Sequence, residues 1–167
     1  MLTVLIVCGR DPSPLVATFA SLLPSSVAGL TADVIVVSEQ PESVEPACEP
    51  VGATAVATDA IVGALERARG EWLLVLEAGA RPAGEWMPAV AAHVSSRTGR
   101  AARFEVAGSG RPFWQRLVAR SRRPLRAGLV MPTRDAIEAL RSTTPARLPI
   151  GRAAVTLPAK LEPAATG

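Results

Sequence analysis

The chain has 167 residues, 49% of them apolar and 20% charged. That is enough to bury one core and too hydrophobic for a disordered chain. A net charge of +3 hides a split: residues 1–96 carry 11 acids and 4 bases, whereas residues 97–167 carry 14 bases and 4 acids. Two cysteines (Cys8, Cys48) and one histidine (His93) exclude a disulfide framework and a zinc site built from His and Cys. They leave a Ser–His–acid hydrolase only His93, in an Ala/Val-rich helical stretch.

Leu2–Cys8 is a near-continuous apolar run, the pattern of a strand buried on both faces. Met1–Gly9 has no basic residue ahead of this short run, so it predicts a first strand and not a signal peptide. Ser13-Pro14 supplies an N-cap and a first-turn proline. Leu15, Phe19, Leu22 and Leu23 then recur at helical spacing until Pro24, which is expected to stop the helix. Asp33–Val37 predicts a second strand. Pro41–Pro50, with three prolines and three glutamates, predicts an irregular, solvated connection. Ala53–Ala57 is a short strand, and Thr58 or Asp59 can cap a helix running to Arg69 with Ile61, Leu65 and Ala68 buried. Gly70 ends that helix.

Glu71–Leu76 is the clearest strand in the sequence, and Trp86–Val94 predicts a helix. Ala101–Val106 and Ala127–Met131 predict strands. Between them, Phe113, Trp114, Leu117, Val118 and Ser121 share one helical face, with Arg116, Arg120 and Arg123 on the other. Thr133 is a candidate cap for a helix from Arg134 to about Leu140. The last 20 residues are expected to be irregular apart from a strand at Ala153–Leu157. Strands alternating with helices argue for an α/β fold, a three-layer αβα sandwich around a mostly parallel sheet. Ligands of such sheets bind at the carboxyl ends of the strands, which are Gly9–Pro12, Ser38–Gln40 and Glu77–Pro82. Cys8-Gly9-Arg10-Asp11 fits neither a Walker A loop nor a dinucleotide fingerprint.

The order of elements, with VIVVSE and then ARGEWLLVLEAGARP followed by EWM, resembles the N-terminal half of inverting GT-A glycosyltransferases of the large family 2 type. The resemblance covers residues 2–95 and is most specific over Ala68–Pro82. It implies a Rossmann-like sheet of GT-A type in one domain over residues 1–150. Residues 1–96 would form its nucleotide-binding half and 97–150 a basic, acceptor-side half. Residues 151–167 would be a tail with at most one edge strand. It also implies a nucleotide-diphosphate sugar as ligand and transfer of the sugar, with inversion, to an acceptor that can be lipid-linked.

The residues placed at that donor site are Gly9, Arg10, Asp11, Ser38, Glu39, Asp59, Glu77 and Arg81. In the family, the second acid of Asp-x-Asp holds a divalent cation on the diphosphate. Glu77-Ala78-Gly79 stands at that motif here, so Glu77 is the candidate ligand for Mg²⁺ or Mn²⁺, and Arg81 a guanidinium clamp in place of the ion. One of the two acids expected after the second strand is Ser38. The later Glu-Asp pair that supplies the family's catalytic base has no counterpart after residue 131, and Gln-x-x-Arg-Trp is missing. A non-catalytic protein of this fold is therefore the alternative. Its docking surface would be the basic helix with Phe113, Trp114, Arg116, Arg120 and Arg123, set against an anionic membrane or a protein partner. Nucleic acid is not an expected partner, because the basic stretch brings no nucleic-acid motif. No apolar run is long enough to span a bilayer; the expected location is the cytoplasm, or the inner face of the cytoplasmic membrane. A nucleotidyltransferase would need a Gly-rich basic loop after the first strand, which Cys8–Pro12 lacks.

Overall fold

The computed structural model describes residues 1–96, 98–107, 124–145, 148 and 154–164. Its centre is an eight-stranded sheet with the spatial order β3-β2-β1-β4-β7-β6-β8-β5. The strands are β1 (Leu2–Val7), β2 (Thr31–Ser38), β3 (Thr54–Ala57), β4 (Trp72–Glu77), β5 (Arg81–Ala83), β6 (Ala102–Val106), β7 (Leu129–Pro132) and β8 (Val155–Glu162). β3, β2, β1 and β4 pair in parallel. β7 runs against both β4 and β6, β8 is parallel to β6, and β5 runs against β8. Six strands therefore share one direction, and β5 and β7 oppose it.

Alternation along the central strands divides the core in two, as a sheet buried on both faces requires. Leu2, Val4, Ile6, Leu74 and Leu76 face α1 (Leu15–Val27), α2 (Pro41–Cys48) and α4 (Trp86–Ser95). Leu5, Val37, Leu73 and Val75 face α3 (Ile61–Arg67) and α5 (Thr133–Leu140). Each fully buried aliphatic side chain contributes about 1.5–3 kcal/mol, so β1 and β4 dominate the apolar driving force. The three-layer α/β architecture agrees with the sequence pattern.

Seven local expectations are corrected. Pro24 does not stop α1, which continues to Val27. The proline falls near the helix end, where one lost backbone bond is tolerated. The buried face of α1 is Leu15, Thr18, Leu22 and Ser25, while Leu23 is exposed. Ser13 makes no cap bond; its N–H donates instead to Asp11 Oδ1 at 2.9 Å.

Residues 41–50 are not an irregular connection. Pro41 opens α2 at a first-turn position, and Val44 and Cys48, four apart, bury one stripe against the core. Neither Thr58 nor Asp59 caps α3: a 3-10 turn, Thr58–Ala60, precedes it with no side-chain cap bond. Thr133 starts α5 without capping it, because its hydroxyl donates to Gly70 O at 2.7 Å.

The C-terminal strand is not at an edge. β8 lies between β6 and β5, with Leu157, Ala159 and Leu161 buried and Pro158 and Lys160 exposed. Pro158 cannot donate to a ladder, and the β6–β8 register slips between Arg103 and Glu105, opposite it. β5 was not foreseen, since Arg81-Pro82-Ala83 has no strand pattern of its own.

Candidate functional site

The amino ends of β1, β2 and β4 are tied together by hydrogen bonds. A Cβ on Gly70 would lie 2.2 Å from Thr3 N, so only glycine lets the β4 approach pass β1. Gly70 N–H donates to Thr3 Oγ1, and its carbonyl accepts from Thr133. Asp33 accepts from the Arg69 backbone N–H at 2.8 Å and ion-pairs with its guanidinium at 3.0 Å. The Ala68-Arg69-Gly70 part of the conspicuous sequence block is thus a folding device.

The carboxyl ends differ. Val7, Val37 and Glu77 lie in one row across β2, β1 and β4. Beyond them the loops Gly9–Asp11 and Ser38–Gln40 are tied together by Ser38, whose hydroxyl donates to Gly9 O at 3.3 Å and accepts from Gln40 N–H at 3.2 Å. Ser38 is only 2% exposed; it positions the loops and offers no surface for direct contact, unlike the role expected of it. Gly9, Arg10, Asp11, Glu39 and Asp59 are exposed, and a Cβ on Gly9 would meet nothing within 4 Å. The Ser13 hydroxyl and then its backbone N–H hold the Asp11 carboxyl below the usual aspartate range. An exposed ionised carboxylate beside an open glycine loop suits hydroxyl or amide donors of a ligand.

Cys8 and Cys48 are buried, and burial pushes both thiols up, so they are protonated and inert. His93 is not at the site. It stacks edge-on against Trp72 at 5.5 Å and hydrogen-bonds Arg100 O through Nε2 at 2.8 Å, near the start of β4.

The turn after β4 departs most from expectation. Glu77 belongs by alternation to the face of Leu73 and Val75. Gly79 turns toward α1, donating its N–H to Thr18 Oγ1 at 2.8 Å. Gly79 has φ +92°, and a Cβ there would stand 3.2 Å from Pro14 Cβ and 3.3 Å from Ala164 Cβ. An acid at this position would be both strained and crowded. Among the described residues, no three His, Cys, Asp or Glu side chains converge to hold a metal. Glu77 is the one acid of the Glu77-Ala78-Gly79 turn, and Gly79 brings no carboxylate to the position that holds the cation in the family. Arg81 does not pair with Glu77; its Nη2 lies 2.6 Å from Glu162 Oε2. Glu162, one of the four acids that the C-terminal half offers, is brought to this end by the fold. No local signal could place it, since it arrives there through the β5–β8 pairing.

No protein-family model matches the chain, and no curated protein matches its sequence. Solved structures do match it. Glucosyl-3-phosphoglycerate synthase from Mycobacterium tuberculosis, in complex with Mn²⁺, uridine-diphosphate and glucosyl-3-phosphoglycerate, superposes with a TM-score of 0.59 at 15% identity, over 81% of this chain and 57% of that one. Mannosyl-3-phosphoglycerate synthase from Rubrobacter xylanophilus gives 0.57 at 15%, over 80% and 53%. A mycobacterial protein gives 0.63 at 12%, over 100% and 68%. The chain has the GT-A glycosyltransferase fold. It spans little more than half the length of the two synthases.

On this GT-A sheet the expected donor residues split into two groups. Gly9, Arg10, Asp11, Glu39 and Asp59 are exposed on the loops after β1, β2 and β3. Glu77 and Arg81 flank a turn packed against Pro14 and Ala164. Asp135 and Glu138, on α5, sit toward the opposite end, because Thr133 anchors that helix at Gly70. Phe113, Trp114, Arg116, Arg120 and Arg123 lie outside the described residues. Among the described residues, no helix is long and apolar enough to cross a membrane.

Proposed function

We propose that this protein binds a nucleotide-diphosphate sugar at the carboxyl ends of its strands, as a glycosyltransferase-like protein without the metal-assisted transfer step. The nucleoside lies over Gly9–Asp11 and Glu39, with Asp59 at its margin, and the diphosphate points toward Arg81. Inverting transfer by an acceptor hydroxyl, lipid-linked or not, needs charge neutralisation at the departing diphosphate and a base within reach of the hydroxyl. Gly79 takes the place of the metal-holding acid. Glu162, the C-terminal acid next to Arg81, is engaged in an ion pair.

The observation that carries the reading is the contrast between an exposed nucleoside side and a closed Gly79 turn on one GT-A sheet. Isothermal titration with UDP, GDP and their sugars, with and without Mn²⁺, tests it. The expected result is binding of at least one nucleotide with an affinity that Mn²⁺ does not change. Absence of heat with all of them sinks the donor-binding reading, and Mn²⁺-dependent release of sugar to an acceptor sinks the non-catalytic part.

A further inference from the structure

We infer that the C-terminal end of β8 is a built-in strap over the diphosphate side of the cleft, with Glu162 acting as an internal anion in place of the ligand's phosphates. The inference rests on the donor-binding reading above. Arg81 and Glu162 are direct partners across β5 and β8, so strand pairing itself delivers the carboxylate to the guanidinium. Ala107 N–H donates to Leu161 O at 2.8 Å, which fixes the chain just before it leaves the sheet. Pro163 follows, with its restricted φ, and Ala164 comes down on the Gly79 turn. Its Cα and Cβ stand 3.5 and 3.3 Å from the place a Gly79 Cβ would take. Thr18 already accepts the Gly79 N–H, leaving that donor unavailable to a phosphate oxygen.

The strap is closed but not locked. Arg81 and Glu162 are 54% and 45% exposed, so water screens their attraction. A diphosphate carries more charge than one carboxylate and can engage a guanidinium bidentately. Binding the diphosphate therefore means displacing Glu162 from Arg81 and lifting Ala164 from Gly79, and the apparent affinity falls by the fraction of chains that are open. The nucleoside side, Gly9–Asp11 and Glu39, takes no part in the Arg81–Glu162 pair or the Gly79–Ala164 contact, so this penalty does not fall on it.

The test compares three chains: the full chain, Glu162→Gln, and a shortened chain that ends at residue 162 and also carries Glu162→Gln. Uridine, guanosine, UDP, GDP and inorganic pyrophosphate are titrated into each without metal. Nucleoside affinity is expected to be the same in all three. Diphosphate and pyrophosphate affinity is expected to rise about threefold in Glu162→Gln, the scale of losing one exposed ion pair. It should rise about tenfold in the shortened chain, corresponding to a strap open in about one chain in ten. Unchanged diphosphate and pyrophosphate affinity in both variants, with nucleosides still bound, overturns the strap and leaves the donor reading standing. No binding of any ligand by any of the three chains overturns both. Matching far-ultraviolet circular dichroism confirms that the shortened chain is folded, and Glu162→Gln decides the matter alone if it is not.

Discussion

The two ends of the same parallel strands are built to opposite rules. At the amino ends, Gly70, Thr3 and Thr133 form a chain of buried hydrogen bonds, and Asp33 clasps Arg69. At the carboxyl ends, Gly9, Arg10, Asp11 and Glu39 are exposed, and Ser38 ties their loops together. Side-chain ties between the strands concentrate at the amino ends, while the loops at the carboxyl ends stay exposed. The density of a sequence block is therefore no guide to chemistry: Ala68–Gly70 serves folding, and the plainer loop at Gly9 is the exposed one.

Two glycines give the sharpest way to break this comparison. Gly70→Ala forces a methyl onto Thr3 backbone and is expected to cost about 3 kcal/mol or more. Gly9→Ala enters open space and should stay within about 0.5 kcal/mol. Urea unfolding of both decides it, and similar losses would dissolve the distinction between the ends. Thr133→Val removes the donor to the buried Gly70 carbonyl and should cost about 2 kcal/mol. A negligible change would mean that water reaches that carbonyl.

Arg69→Ala is expected to cost no more than about 1 kcal/mol, because the Arg69 side chain is 68% exposed. The Asp33 carboxylate also keeps its backbone donor. That loss should shrink further at high salt. At the other end the effects move from stability to binding. Asp11→Asn and Glu39→Gln should leave the unfolding midpoint in place and weaken nucleotide binding about tenfold each, roughly one good charge-assisted hydrogen bond.

The smallest effect is a titration. The folded Asp11 carboxyl is held below the ordinary aspartate range by Ser13. Its contribution to the loop is present above the ordinary aspartate value and disappears as the pH falls through the lowered one. Carboxyl NMR should show the low midpoint, and Ser13→Ala should move it upward. An unmoved midpoint would remove Ser13 as the cause.

Much of the fold was legible because the signals were local. The runs at Leu2–Cys8 and Glu71–Leu76 could only be strands covered on both faces, and both are. α2 escaped notice because three prolines and three glutamates mask a two-residue apolar stripe, Val44 and Cys48. β8 was glimpsed as five residues and placed at an edge. Its period-2 pattern of Leu157, Ala159 and Leu161 continues through a proline, which argues locally against a central strand. The exposure of the loop residues at the strand ends was recoverable from the sequence. The buried state of Ser38 was not, nor was the partner of Arg81.

The division has one physical cause. Side-chain periodicity and apolar runs report the environment of a residue's own element, so the α/β alternation and the buried central strands are already written in the sequence. Pairing between segments far apart in the chain depends on which surfaces fit once those elements pack. Tertiary structure alone decided that Gly70 must slip past Thr3, that Thr133 bonds Gly70 and does not cap its helix, and that β8 enters the sheet. The last of these brings Glu162 to Arg81 and Ala164 to Gly79.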